Sequence, residues 1–217
     1  MPDGQYSSYL HSDDRTDIAA MATISTISQP LRGEFIRTAA TAGAVVYQVD
    51  ARLPALIPVF FAGQLSAVRL CAVMALVSGT WSSLTGLPDE PENGGAALPV
   101  SPETEYQRRR YTLTLQNGRS GERVESVLTE ASSRLRGDLL RNLIITGLAL
   151  HTTAPELPRL LASMPVPPTS VSELQALVQQ MAGTADVNRA AAAVPDTPTA
   201  SAAPVSGSDT REIKKNM

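Results

Sequence analysis

Glu122-Arg-Val-Glu-Ser-Val-Leu-Thr-Glu-Ala-Ser-Ser-Arg-Leu-Arg-Gly-Asp-Leu-Leu-Arg-Asn-Leu-Ile-Ile-Thr-Gly-Leu-Ala-Leu150 reads as one long amphipathic helix. Val124, Val127, Leu128, Leu135, Leu139, Leu143 and Ile144 fall along one side at the spacing of a helical face. On the other side Glu130 precedes Arg134 and Asp138 precedes Arg141 in the order that favours ion pairs on a solvated surface. A helix with such a stripe needs apolar partners, so the fold follows from where the chain supplies them.

Upstream, Leu31, Phe35, Ile36, Ala39, Ala42, Val46 and Tyr47 recur at helical spacing across Leu31–Gln48, with Gly43 inside the pattern. A second apolar block runs from Leu53 to Trp81. Its prolines, Pro54 and Pro58, suit a first turn, so the main helix is expected to begin near Pro58 and to stop at Gly79. Downstream, shorter helices are expected over Ala154–Met164 and Val171–Met181, separated by Pro165, Pro167 and Pro168. Tyr111-Thr-Leu-Thr-Leu-Gln116 alternates and leads into Asn117-Gly118, the pattern of a short strand or the approach to a turn. These elements make an all-α helical bundle with room for one short strand or hairpin and with extended low-complexity termini. Residues 1–30 read as an N-terminal arm with a short helix at Asp17–Ala22, residues 31–182 as the core domain with a loop at 82–105, and residues 183–217 as an Ala/Pro/Ser-rich tail unable to bury enough surface to order itself. No internal repeat is evident.

Apolar residues make up 43% of the chain but aromatics only 4%, so the core must be aliphatic. The net charge of −3 argues against a generic polyanion binder, which would carry a clearly basic face. The lone cysteine, Cys71, lies in an apolar stretch and reads as a small buried hydrophobe. The first thirty residues hold no apolar leader and Pro2 follows Met1, which points to an intracellular setting without a myristoyl anchor. Catalytic chemistry finds no support. His11 lies in the arm and His151 at a helix end, where its charge suits the helix dipole. Gly94-Gly95 sits in a proline-rich loop rather than after a strand, and Glu90, Glu92, Glu103 and Glu105 have no evident partners. The expectation is a non-enzyme with no cofactor, metal or small-molecule substrate.

Of eighteen basic residues sixteen are arginine, and three of them run together as Arg108-Arg109-Arg110 between Tyr106 and Tyr111. A guanidinium is a fixed fork that matches phosphate oxygens two at a time, and neighbouring aromatic rings can stack on bases. Arg108, Arg109 and Arg110 are therefore the expected nucleic-acid contacts, with Arg119 and Arg123 in support.

The Ala190–Val205 segment resembles the proline-alanine-serine-rich protein of polymycoviruses, which associates with viral RNA. The apolar helices, the loop and the arginine-bearing Glu122–Leu150 resemble the helical-bundle coat proteins of rod-shaped or filamentous RNA viruses. The resemblance implies a coat or nucleocapsid protein that assembles with copies of itself, packages RNA through arginine–phosphate contacts, and resides in the virion and the host cytoplasm. Two other readings stand beside it. One is a capsid cement or scaffold subunit without nucleic-acid contact. The other is a membrane-associated protein using Leu53–Trp81, which is long enough to span a bilayer and carries only Arg69 as a charge.

Overall fold

Residues 4–80 and 108–192 are described by a computed structural model. The chain runs β1 (Gln5–His11), α1 (Arg15–Ser25), a single 3-10 turn (Gln29–Leu31), α2 (Arg32–Val49), α3 (Leu53–Phe60) and α4 (Ala67–Ser78). It resumes with β2 (Arg108–Thr114), α5 (Arg119–Glu130), α6 (Arg136–Thr153), α7 (Leu157–Ser163) and α8 (Val171–Ala192). One strand followed by four helices thus occurs twice. The sequence carries the same duplication at one constant spacing: Leu31-Arg-Gly-Glu34 against Leu135-Arg-Gly-Asp138, Arg37 against Arg141, Gly43 against Gly147, and Leu53-Pro54 against Leu157-Pro158. The expectation of no repeat is corrected. The signal lies in a few sparse identities that a search for local periodicity does not compare.

Among the described residues the fold is mostly helical, as expected, with one two-stranded antiparallel sheet. Several boundaries move. Glu122–Leu150 is two helices, because Ala131 turns to extended geometry and ends α5. Arg136 then donates from Nε to the carbonyls of Leu128 (3.1 Å) and Ala131 (3.2 Å), satisfying acceptors that a helix end leaves open. Its counterpart Arg32 does the same, from Nε to Ile27 O at 2.8 Å and from Nη2 to Ser25 O at 3.1 Å. Residues 5–25, expected within an arm, form β1 and α1 and bury Leu10, Ala19, Ala20 and Ile24. The Leu53–Trp81 block divides at a turn containing Gly63 (φ 98°), after which Ser66 caps α4. Pro58 lies inside α3 rather than opening the main helix, whereas Gly79 closes α4 in the left-handed conformation (φ 70°) as expected. Among the described residues no helix is long and apolar enough to cross a membrane. Helix α8 continues past Gly183, into the segment expected to be tail. The 82–105 loop, Tyr106 and the chain beyond residue 192 lie outside the described residues.

At the centre α2 and α6 cross in close contact. A Cβ on Gly43 would stand 2.1 Å from the Leu143 carbonyl oxygen, and one on Gly147 would stand 2.1 Å from that of Ala39. The two glycines therefore let each backbone reach the other. The third helix of each half lies on the central helix of the other: α7 on α2, and α3 on α6. Helix α4 packs on α8, and the strands pair across the halves. Neither half encloses a core of its own. The shared core is aliphatic, with Leu53, Ile57, Leu70, Leu128, Leu140, Leu143, Ile145 and Leu148 fully buried, joined by Phe61 and Met74.

Gly33 lies on the same helix as Gly43, yet a Cβ there would meet nothing within 4 Å. Gly43→Ala is expected to destabilise the protein by about 1–3 kcal/mol, since over-packing outweighs the gain in helix propensity. Gly33→Ala should leave stability unchanged or raise it by up to ~1 kcal/mol. Urea unfolding of both variants checks the contrast, and equal midpoints would remove the close crossing as a determinant of the fold.

Candidate nucleic-acid interface

The register of the ribbon places Gln5 opposite Thr114, Ser7 opposite Thr112, Tyr9 opposite Arg110 and His11 opposite Arg108. Side chains alternate between faces along a strand, which sorts the ribbon into two unlike surfaces. Ser8, Leu10 and Leu113 are buried on the inner face, and Tyr6 and Tyr111 are half-buried there against the core. The Ser8 and Tyr111 hydroxyls have no hydrogen-bond partner among the described residues, and burial pushes the Tyr111 phenol up. The outer face holds Gln5, Ser7, Tyr9 and His11 from β1 and Arg108, Arg110, Thr112 and Thr114 from β2. None of the eight is aliphatic, and all four from β2 are exposed.

Contacts within this outer face hold its cations in place. Arg110 donates from Nε (3.1 Å) and Nη2 (2.9 Å) to Ser7 Oγ, which lies 3.4 Å from Thr112 Oγ1. The Arg108 guanidinium carbon stands 3.5 Å from the centroid of the Tyr9 ring, a cation–π contact. The expected arginine triplet is therefore divided. Arg108 and Arg110 share the outer face, while Arg109 alternates to the other side, opposite Leu10 and 5.7 Å from the Tyr111 ring centroid. Arg119 opens α5 and is exposed beside the Gln116–Gly121 turn. Arg123 is half-buried on α5, where desolvation lowers its pKa, and takes no part in the strand face.

Two arginines from the second turns of the central helices tether the ribbon ends. Arg141 bonds from Nε to Asp17 Oδ1 at 2.7 Å and pairs with Asp14 at 3.2 Å. Its partners are thus distant in sequence, and the expected surface pair with Asp138 is replaced by them. The expected Glu130–Arg134 pair loses its helical spacing because α5 ends at Glu130. Asp17 is fully buried and also accepts from the His11 backbone N–H at 2.9 Å, at the end of β1. Asp14 caps α1 by accepting from the Asp17 N–H at 3.0 Å. At the other end Arg37, the counterpart of Arg141, donates from Nε to Thr114 O at 3.3 Å and pairs with Glu34.

The outer face brings together two of the expected residues, Arg108 and Arg110, with six that the sequence did not single out, Gln5, Ser7, Tyr9, His11, Thr112 and Thr114. The missed signal is the likeness of Tyr6-Ser-Ser-Tyr-Leu10 to Tyr111-Thr-Leu-Thr-Leu115, which marks the first segment as a second strand once the alternation of the other is recognised.

The model of the family described as plasmid stability protein matches residues 4–74 and 109–178, two stretches that follow the two structural repeats. No curated protein and no solved structure matches the chain. The match overturns the coat or nucleocapsid reading together with its RNA packaging and its placement in the virion and host cytoplasm. That reading leaned on tail composition, which any low-complexity segment shares, and on a single long helix that is in fact two.

Burial is the largest influence on Asp17 and raises its pKa above the ordinary carboxylate value; the His11 amide and Arg141 lower it without cancelling the effect. A carboxyl whose folded pKa is raised binds a proton more readily in the folded state. It therefore adds stability as pH falls through the folded pKa and opposes folding above it. Asp17→Asn removes this dependence. The stability of the unaltered protein relative to the Asp17→Asn variant should rise as pH is lowered from about 7 towards 3. Urea midpoints measured across that range check the sign.

Proposed function

Because the chain belongs to the plasmid stability protein family, we propose that it serves plasmid maintenance by holding duplex DNA through its two-stranded ribbon. The observation that carries this reading is the division of the ribbon into an inner face that seats Leu10, Leu113 and the two tyrosines Tyr6 and Tyr111 on the core and an outer face made wholly of hydrogen-bonding and cationic side chains. An isolated pair of strands is marginal in water, and here the helical platform holds it. The major groove of B-form DNA, about 12 Å wide, admits a two-stranded ribbon. Strands about 4.8 Å apart present both rows of outer side chains to base edges at once.

The residue types suit that task. Arg108 and Arg110 carry forks that fit guanine O6 and N7 or two phosphate oxygens. Gln5 offers the paired donor and acceptor that match adenine, and Thr112 and Thr114 offer a hydroxyl and a methyl. Duplex DNA is a better partner than duplex RNA, whose A-form major groove is too deep and narrow for side chains to read. The net charge of −3 is compatible with this because residues 4–80 and 108–192 carry fifteen basic against twelve acidic side chains, and the acidic excess falls in the rest of the chain. The function is binding without a chemical step.

Fluorescence anisotropy with a random-sequence duplex tests the reading. Affinity should fall linearly with salt on a logarithmic scale, by roughly 0.9 per phosphate neutralised. Changing Arg108 and Arg110 together to alanine should weaken binding about tenfold or more. Arg123→Ala should leave binding unchanged. Absence of binding at about 50 mM salt, or a double variant that binds as well as the parent, would overturn the proposal.

A further inference from the structure

The platform under the ribbon repeats itself, but the surface it presents does not. Matching Tyr6-Ser-Ser-Tyr-Leu10 to Tyr111-Thr-Leu-Thr-Leu115, one residue beyond the spacing that relates the helices, pairs Ser7 with Thr112, Gln5 with Arg110 and Tyr9 with Thr114. Ser7 and Thr112 also face each other in the register, so the axis relating the halves passes beside that pair. One end of the outer face then carries Tyr9, His11, Arg108 and Arg110, and the other carries Gln5 and Thr114. Both outward guanidiniums of the ribbon stand at one end.

The recesses beside the two ends differ in the opposite sense. Beside the arginine end the recess is lined by Asp13, Asp14, Asp17 and Asp138, against Arg108 and Arg141. Beside the other end the counterparts of Asp13, Asp14 and Asp17 are Asn117, Gly118 and Gly121. Glu34 is the acid there, against Arg37 and Arg119. Ribbon charge and flank charge are thus exchanged between the ends.

Resting on the reading of the ribbon as a major-groove binder, the geometry points to a non-palindromic duplex as the target, engaged by one chain in one orientation. A reader with two identical halves matches an inverted repeat because its contacts are repeated by symmetry. Here an arginine fork meets one half-site where a glutamine meets the other. Guanine is favoured under Arg108 and Arg110, and adenine under Gln5. The acidic recess holds phosphates away from the arginine end, directing those side chains to base edges. At the other end Arg119 faces the backbone and supplies the phosphate contact.

The test is selection of bound duplexes from a random library by the full chain, repeated with Arg110→Gln and Gln5→Arg. The expected motif is asymmetric, with guanine in one half only. Arg110→Gln should lose discrimination in that half by roughly 5- to 100-fold while sparing the other. Gln5→Arg should bring guanine into the second half and move the motif towards an inverted repeat. An inverted repeat selected by the unaltered chain, or equal loss in both halves with Arg110→Gln, overturns the inference. Duplex retained without any sequence enrichment also overturns it while leaving DNA binding in place, whereas no retained duplex removes the DNA reading itself.

Discussion

The crossing of α2 and α6 at Gly43 and Gly147 is the constraint from which the remaining arrangement follows. Each glycine lies against the backbone of the opposite helix, at Leu143 and Ala39, so the contact is mutual and neither helix can slide without opening both. The crossing brings α6 under β1 and α2 under β2, and these are the contacts that seat the ribbon. Arg37 and Arg141 project from the same helices to the two ribbon ends. A loss of close approach at the centre would therefore appear at the outer face as a change in where the strands sit.

Duplication has allowed the two halves to diverge where identical subunits cannot. Positions Ala39, Ala40, Thr41 and Ala44 of α2 correspond to Leu143, Ile144, Ile145 and Leu148 of α6, and all eight are buried. Bulk absent from one central helix is supplied by the other, which keeps interior density without two-fold equality. The same freedom appears in polar chemistry. Asp17 is a buried carboxylate held by Arg141, while its counterpart Gly121 lies where a Cβ would stand 2.1 Å from the Gln116 carbonyl oxygen. Ion pairing secures one ribbon end and tight backbone packing the other.

Much of the fold was legible in the sequence because helices announce themselves locally. Leu31–Gln48 predicts α2 to within a residue, and Gly79 marks the stop of α4 by the left-handed conformation that glycine adopts freely. What local periodicity cannot supply is pairing between distant segments. Gln5–His11 is polar on its outer side and carries serine at a buried position, so in isolation it resembles an arm; its strand character comes from β2, about a hundred residues away. The break after Glu130 was hidden because the apolar stripe continues in phase across Leu135 into α6. The outer face of the ribbon was half legible for the same reason. An arginine run is visible by composition, but only a register tells which members share a face, and it separates Arg109 from its neighbours.

An acidic recess beside a proposed DNA-reading surface bears on specificity rather than against binding. Sequence-independent affinity grows with every phosphate a protein neutralises, whereas discrimination is a difference between affinities for competing sites. A surface basic at both ends would hold any duplex in either orientation and gain little from reading bases. With Asp13, Asp14 and Asp138 beside Arg108, the arginine end has less to gain from backbone charge alone. On the proposed reading, what remains for Arg108 and Arg110 is the base edge, where a fork matches one partner and not another. On that reading, the recess carboxylates and the paired guanidiniums are two parts of one arrangement: the carboxylates restrain non-specific attraction, and the ribbon recovers affinity only where the sequence beneath it fits.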